Sequence, residues 1–319
     1  MVDHIKNRPK STGNGANWAP ADVILPDPNL IEKTSRWRIN FRQLEPGPMQ
    51  TRVRSLGGQM LTLLEISMDR AVHQQGAAPP DTLTFGIPLG RDDLRWQNVD
   101  VYGQRFLTFG GSDGFEGISG SGFHGITFSV AKDQIEALAD RLGMSFDDAL
   151  YSSGVFLAAE QAFGTQPLAA HALNYLRPKG RAEISLSDEE EILTHFLYLA
   201  DASEQFSDCS TGKQRARALR VSLEIMEANV AENVQISTIC AMSGVSLRTL
   251  NRAYREAFGI GPKAYFLRMR LGILRRELLE TRPGSLVSDL ANPLGFWHMG
   301  QLARDYRAIF GELPSDTIV

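Results

Sequence analysis

Residues 254–262 read YREAFGIGP and residues 306–314 read YRAIFGELP. The pattern Tyr-Arg-x-x-Phe-Gly-x-x-Pro thus recurs at an offset of 52 positions. An internal repeat constrains architecture more than composition does, because each copy has to be the same folding unit. In both copies the pattern follows a short apolar segment, a Gly and a second amphipathic segment. That layout predicts two helix-turn-helix units.

The first unit can be read position by position. Residues 236–240 form a short apolar-faced segment, with Ser237 available as its cap. Gly244 ends it, since a tight turn between crossed helices often needs positive φ. Ser246 then caps a helix over 247–258, in which Leu250, Tyr254 and Phe258 form an inward stripe at i, i+4 and i+8. The opposite face offers Arg248, Thr249, Asn251, Arg252 and Arg255. Arg suits guanine, Asn suits adenine, and Thr suits either or a thymine methyl.

In the second unit Val287, Leu290, Ala291 and Leu294 supply the first helix's apolar face. Gly295-Phe296 mirrors Gly244-Val245, and Leu302, Tyr306 and Phe310 repeat the stripe. Gly to Tyr is eleven positions here against ten in the first copy, so this turn is one residue longer. Pro293 should end or kink the first helix near Asn292. The outward face offers Trp297, His298, Met299, Gly300, Gln301 and Arg304. Trp297 is expected to pack or touch backbone, and His298 to cap the helix or donate to phosphate.

Pro262 is placed to start a helix that runs to about Thr281. Roughly 19 helical residues span about 28 Å, and one turn of B-DNA is about 34 Å. Such a rod could hold two recognition helices in successive major grooves. One Arg-faced amphipathic helix is ordinarily only a solvated face. Two of them at matching offsets, joined by a rod of this length, point to DNA.

Over roughly residues 215–315 the chain resembles the AraC/XylS family of bacterial transcription regulators. The resemblance implies a monomeric DNA-binding unit with two helix-turn-helix motifs, joined to a sensory or dimerising domain that is often a cupin-like barrel. Carried over by position, Arg248, Thr249, Asn251 and Arg252 form one reading set; Met299, Gly300 and Arg304 belong to the second. Members often have small polar residues where this chain has His298-Met299-Gly300, so backbone or apolar contact is expected there.

Charge follows the same division. Residues 212–319 hold 15 Lys+Arg against 10 Asp+Glu, whereas the whole chain is −4, leaving −9 for residues 1–211. A basic C-terminal part on an acidic remainder is what a DNA-binding domain attached to something else should show. At 319 residues the chain can bury two cores. No run approaches 18 apolar residues, so no membrane span is expected. The first 22 residues lack the apolar core of a signal peptide, and Cys209 and Cys240 lack metal spacing. A cytoplasmic location is therefore expected.

The expected fold class is α+β: a β-rich, cupin-like N-terminal domain with helices, then an all-α double helix-turn-helix domain. Residues 1–25 are expected to be a disordered tail, 26–180 the β-rich domain, 181–212 a helix and linker available for dimerisation, and 213–319 the DNA-binding domain. Strands are expected at 36–44, 51–57, 60–69, 82–89, 97–101, 105–109 and 125–130, and helices at 129–142, 145–163 and 168–176. Residues 187–190 open a further helix over 190–202, whose apolar side covers the barrel or a second subunit. A linker is expected at 207–212. Gly120-Ser121-Gly122-Phe123-His124-Gly125 satisfies G-x-G-x-x-G, but a strand-like run follows where a dinucleotide site needs a helix. It is read as a Gly-rich loop. His73, His124 and His171 form no ligand cluster. No catalytic, metal or cofactor residue is assigned.

The expected function is a sequence-specific regulator, more an activator than a repressor by family analogy. Its expected partners are double-stranded DNA across two adjacent major grooves, a small-molecule effector, a second copy as homodimer and, for an activator, RNA polymerase. Two alternatives stay open: a constitutive DNA-binding dimer with a purely structural N-terminal domain, and a cupin-type enzyme with an appended DNA-binding module.

Overall fold

The structure, a computed structural model, describes residues 21–33, 36–90, 93–111, 114–145, 147–158, 164–177, 184–206, 213–232 and 234–318. The chain first lays down β1 (Ala21–Leu25), β2 (Arg38–Gln43), β3 (Thr51–Gly57), β4 (Leu61–Met68), β5 (Val72–Ala77) and β6 (Thr82–Pro88). Next come β7 (Leu94–Trp96), β8 (Val99–Val101), β9 (Arg105–Thr108), β10 (Phe115–Ser119) and β11 (Phe123–Ala131). Helices then alternate with two last strands: α1 (Lys132–Leu142), β12 (Gly154–Ala158), α2 (Thr165–Leu176), α3 (Leu186–Asp201) and β13 (Ser203–Phe206). The rest is helical: α4 (Lys213–Ala228), α5 (Ile236–Ser243), α6 (Leu247–Phe258), α7 (Pro262–Glu280), α8 (Val287–Ala291), α9 (Met299–Phe310) and α10 (Pro314–Thr317).

All strand pairings are antiparallel and fall into two sheets. The larger has the order β1-β3-β4-β11-β6-β9-β12-β13; the smaller has β2-β5-β10-β7-β8. Alternation along the strands sorts side chains into three layers of core. Ile39, Phe41, Val72, Trp96 and Phe115 of the smaller sheet meet Val53, Ile66, Leu107 and Phe123 of the larger one. On its other face the larger sheet sends Leu63, Phe85, Phe106 and Phe128 against Ile135 of α1, Leu168 of α2 and Phe196 of α3. Phe85 stacks on Phe196 at 3.5 Å between centroids. The order through the molecule is therefore α1–α3, larger sheet, smaller sheet, α4–α7, because Leu44, Ala71 and Ile118 beside or on the smaller sheet join the core of those helices.

Several expectations are corrected. The helix expected over 145–163 is not formed in its described part, 147–158: a 3-10 turn at Asp148–Tyr151 leads into β12, which pairs with β9 and β13. A short apolar run such as GVFLA cannot be told from a helix by periodicity alone. Strands β5 and β10 were not anticipated, nor were β1, β7, β12 and β13. The expected tail lies outside the described residues up to Pro20, but its last five residues form β1 on the edge of the larger sheet. Helix α3 starts earlier than expected, with Ser185 and Asp188 in a capping box. Its Ile192, Leu193 and Phe196 are buried on the sheet. Gln235 rather than Ser237 precedes α5. The expected linker at 207–212 lies outside the described residues, as does Cys209.

Candidate nucleic-acid interface

The repeated nine residues now have a structural meaning. Tyr254 and Tyr306 are fully buried, and their hydroxyls are satisfied by Ser222 at 3.0 Å and Thr317 at 2.7 Å. Phe258 and Phe310 close each helix from inside. Gly259 and Gly311 then adopt φ of 71° and 81°, the left-handed cap that favours glycine. Pro262 and Pro314 sit at the start of the next helix, where a missing N–H costs nothing. The motif is a helix end, a reversal and a helix start, written twice.

Each unit has its own core. Leu223, Met226, Ile239, Leu250, Tyr254, Tyr265 and Met269 form one; Leu271, Leu274, Leu278, Ala291, Leu302 and Tyr306 form the other. Helix α7 contributes to both, Tyr265 and Met269 to the first and Leu274 and Leu278 to the second, and so joins the units as a single rod of 19 residues. Two arginines of α7, Arg270 and Arg275, are buried. Arg270 donates to the Leu294 carbonyl and lies over Phe296 at 4.5 Å, capping the helix end before the second turn. Arg275 holds Asp27 at 3.3 Å and Glu312 at 2.6 Å.

The first turn is as expected: Gly244 has φ 68°, and the Ser246 hydroxyl accepts the Thr249 amide at 3.1 Å. Before the second turn α8 gives way to a 3-10 turn at Asn292–Leu294 around Pro293, ending at Gly295 with φ 75°, and the extra residue lies after it, between Gly295 and Met299. His298 occupies the cap position of α9 without a side-chain cap bond.

On α6, Arg248, Arg252 and Arg255 are exposed and Thr249 and Asn251 half-buried. Arg252 donates to Glu256 at 2.7 Å, Asn251 to the Leu247 carbonyl at 3.0 Å, and the Thr249 hydroxyl lies 2.9 Å from that of Ser246. On α9, His298, Gly300, Gln301 and Arg304 are exposed and Met299 half-buried. Arg304 donates to Gln301 at 2.7 Å, and Gln301 to Asp305 at 2.7 Å. The structure therefore gathers the ten candidates into two outward faces, one per unit. Sequence reasoning missed Glu256 and Asp305, although their i, i+4 spacing from Arg252 and Gln301 was legible. It also missed how exposed the apolar Leu247, at 54%, and Trp297, at 70%, are beside the two helix starts.

Other features carry no comparable chemistry. Among the described residues no group of three or more His, Cys, Asp and Glu is placed to hold a metal ion. No described helix is long and apolar enough to cross a membrane. His124 pairs with Glu65 at 2.7 Å. Gly122, with φ 83°, belongs to the turn between β10 and β11, with no helix after it.

Residues 239–318 match a family described as a helix-turn-helix domain. The chain is 31% identical over 97 residues to the XylDLEGF operon transcriptional activator 1 of Pseudomonas putida, a match covering 30% of this chain and 29% of that one. It is 33% identical over 118 residues to the regulatory protein HrpB of Ralstonia nicotianae, covering 37% and 24% respectively. The crystal structure of a probable AraC family transcriptional regulator from Rhodopseudomonas palustris is 35% identical, with 32% of this chain and 94% of that one covered and a TM-score of 0.30. The match thus spans under a third of the length of these curated relatives.

Proposed function

The chain belongs to the AraC/XylS family, and on that premise we propose that it is a sequence-specific transcription regulator that reads two adjacent major grooves. The observation that carries this is the pair of outward polar faces on α6 and α9, borne by two units with the same fold on one continuous rod. Arg248, Thr249, Asn251, Arg252 and Arg255 form the first reading face; His298, Met299, Gly300, Gln301 and Arg304 form the second. Gly300 lets the duplex backbone come close, and the exposed Trp297 and Leu247 supply apolar contact to sugars or thymine methyls.

The N-terminal domain is proposed to take a small effector. The space between its sheets is lined by Ile39, Phe41, Trp96 and Phe109 but measures only about 50 Å³. That is room for a water or two. A larger cleft of about 570 Å³ opens at one end of the sandwich, between the β3–β4 and β5–β6 turns and the start of α1. Ligand sites fall in this size range. Trp37 lines both spaces.

The test is to incubate the purified protein with sheared DNA from its own genome at physiological salt and sequence what is retained. The expected result is one motif of two half-boxes about one helical turn apart. Retention with no motif would mean the faces bind phosphate only.

A further inference from the structure

The two helix-turn-helix units can be laid over each other on their buried tyrosines, Tyr254 and Tyr306. Arg248, Thr249 and Asn251 of α6 then fall on Gly300, Gln301 and Ala303 of α9. Arg252 falls on Arg304, two positions before each tyrosine, and Arg255 on Arg307, directly after it. An arginine two places before the tyrosine is thus the one member of the candidate reading sets that both units keep.

Each of these two arginines is held, and by different means. Arg252 donates from Nε to Glu256 Oε1 at 2.7 Å, one turn further along α6. Its two terminal amino groups are left to fork onto O6 and N7 of a guanine. Arg304 donates from a terminal amino group to Gln301 Oε1 at 2.7 Å, one turn back along α9. Gln301 Nε2 in turn donates to Asp305 Oδ1 at 2.7 Å. An arginine only donates and a carboxylate only accepts, so a single orientation of the Gln301 amide serves both neighbours. With its oxygen turned to Arg304 and its nitrogen to Asp305, Gln301 is a strut between them.

The fold does not need either support. Exposed pairs at this spacing contribute little to stability, and the Arg252 and Glu256 side chains are 69% and 44% exposed. A carboxylate on a face that approaches DNA also repels the phosphates. What it does provide is competition. A surface arginine beside a duplex swings to the nearest phosphate, and one already neutralised by a carboxylate gains less by doing so.

We propose that Glu256 on α6 and the Gln301–Asp305 pair on α9 are positioning residues, which hold Arg252 and Arg304 away from the phosphates and aimed at base edges, and so set how strongly the protein prefers its own site over random DNA. This rests on the DNA-binding reading above and deepens it, since Gln301 then supports a reader instead of reading.

Full-length wild type and variants are titrated against the duplex from the genomic selection and against random duplex, over a series of salt concentrations. Glu256→Gln keeps the size and removes the charge. It should tighten binding to random duplex by about three- to tenfold and to the selected duplex by less, and steepen the salt dependence on random duplex by about one counterion. Asp305→Asn should do the same from the second unit.

The deciding comparison repeats Glu256→Gln in an Arg252→Ala background and Asp305→Asn in an Arg304→Ala background. A residue that works through its arginine then has nothing to act on, so the preference for the selected duplex should not move further. The same loss of preference with and without the arginine would overturn the positioning role. An equal gain on both duplexes would also overturn it, marking plain repulsion of phosphate. If the wild type retains no DNA in the selection, the DNA reading fails and takes this inference with it. A clear motif whose preference the variants keep sinks this inference alone.

Discussion

At the scale of single residues, the candidate readers differ in what already holds them. Arg252 is exposed and paired with Glu256, an arrangement that aims the guanidinium while contributing little to stability. Replacing it should therefore affect recognition and spare the fold. Arg252→Ala is expected to weaken binding to the selected duplex by roughly 10- to 100-fold and to leave binding to random duplex nearly unchanged. Competition titrations against the two DNAs check this. Equal loss on both would mark Arg252 as a phosphate contact.

His73 gives a second prediction at this scale. Burial pushes its imidazole below the ordinary value, and the Glu116 carboxylate beside it offsets part of that push. A folded-state pKa below the unfolded one means that the stabilisation is complete above about pH 6.5 and drains away as pH falls toward the folded value. Around the ring, β2 contributes Arg42, β10 Glu116, α4 Glu227 and α7 Tyr265, while Gln75 and Phe258 bring no charge. The Glu116 carboxyl is itself held below its usual range, so its own titration falls at lower pH. Denaturant midpoints should decline below about pH 6.5 in the wild type. His73→Gln should remove that part of the slope; an unchanged slope would assign it to other groups.

At the scale of elements, the two left-handed caps allow a controlled comparison. Gly259 has open space around a built Cβ, whereas a Cβ on Gly311 would come within 2.9 Å of Pro48 Cδ. Gly259→Ala should cost about 1 to 2 kcal/mol from backbone conformation alone. Gly311→Ala should cost more, because Pro48 must also give way. Urea unfolding of the two variants measures the difference, and equal costs would show that the loop around Pro48 yields freely. These caps were legible in the sequence because Gly and Pro report local conformation. So were α6, α7 and α9, whose inward stripes need no distant partner to be recognised. Strand β5, VHQQGA, was not legible. Its outward His73 and Gln75 look like solvent-facing residues, and the helices packed on this face bury His73 and half-bury Gln75. Residues 145–163 failed for the converse reason: their apolar run fits a helix face, and pairing with β9 and β13 decides the outcome.

For the whole molecule, the sequence showed two halves of opposite charge but not how they meet. The candidate reading faces were visible from the repeat, since a recognition face is local to one helix. The contact between domains was invisible, since it joins residues such as Arg42 and Tyr265, more than 200 positions apart. The structure places α4–α7 on the outer side of the smaller sheet, with a cleft of about 570 Å³ at the end of the same sandwich. One strand's thickness separates the interior of the sandwich from the helices packed on its outer face.

That thinness limits how such a protein can diversify. Phe41 and Gln74 face the interior, and each is followed or preceded directly in the chain by Arg42 or His73. A mutation that reshapes the interior therefore shifts the backbone that carries Arg42 and His73. The lining of the interior and the contact with the C-terminal helices cannot drift independently in this architecture. Substitutions on the interior face of this sheet should therefore be accompanied by substitutions on its outer face.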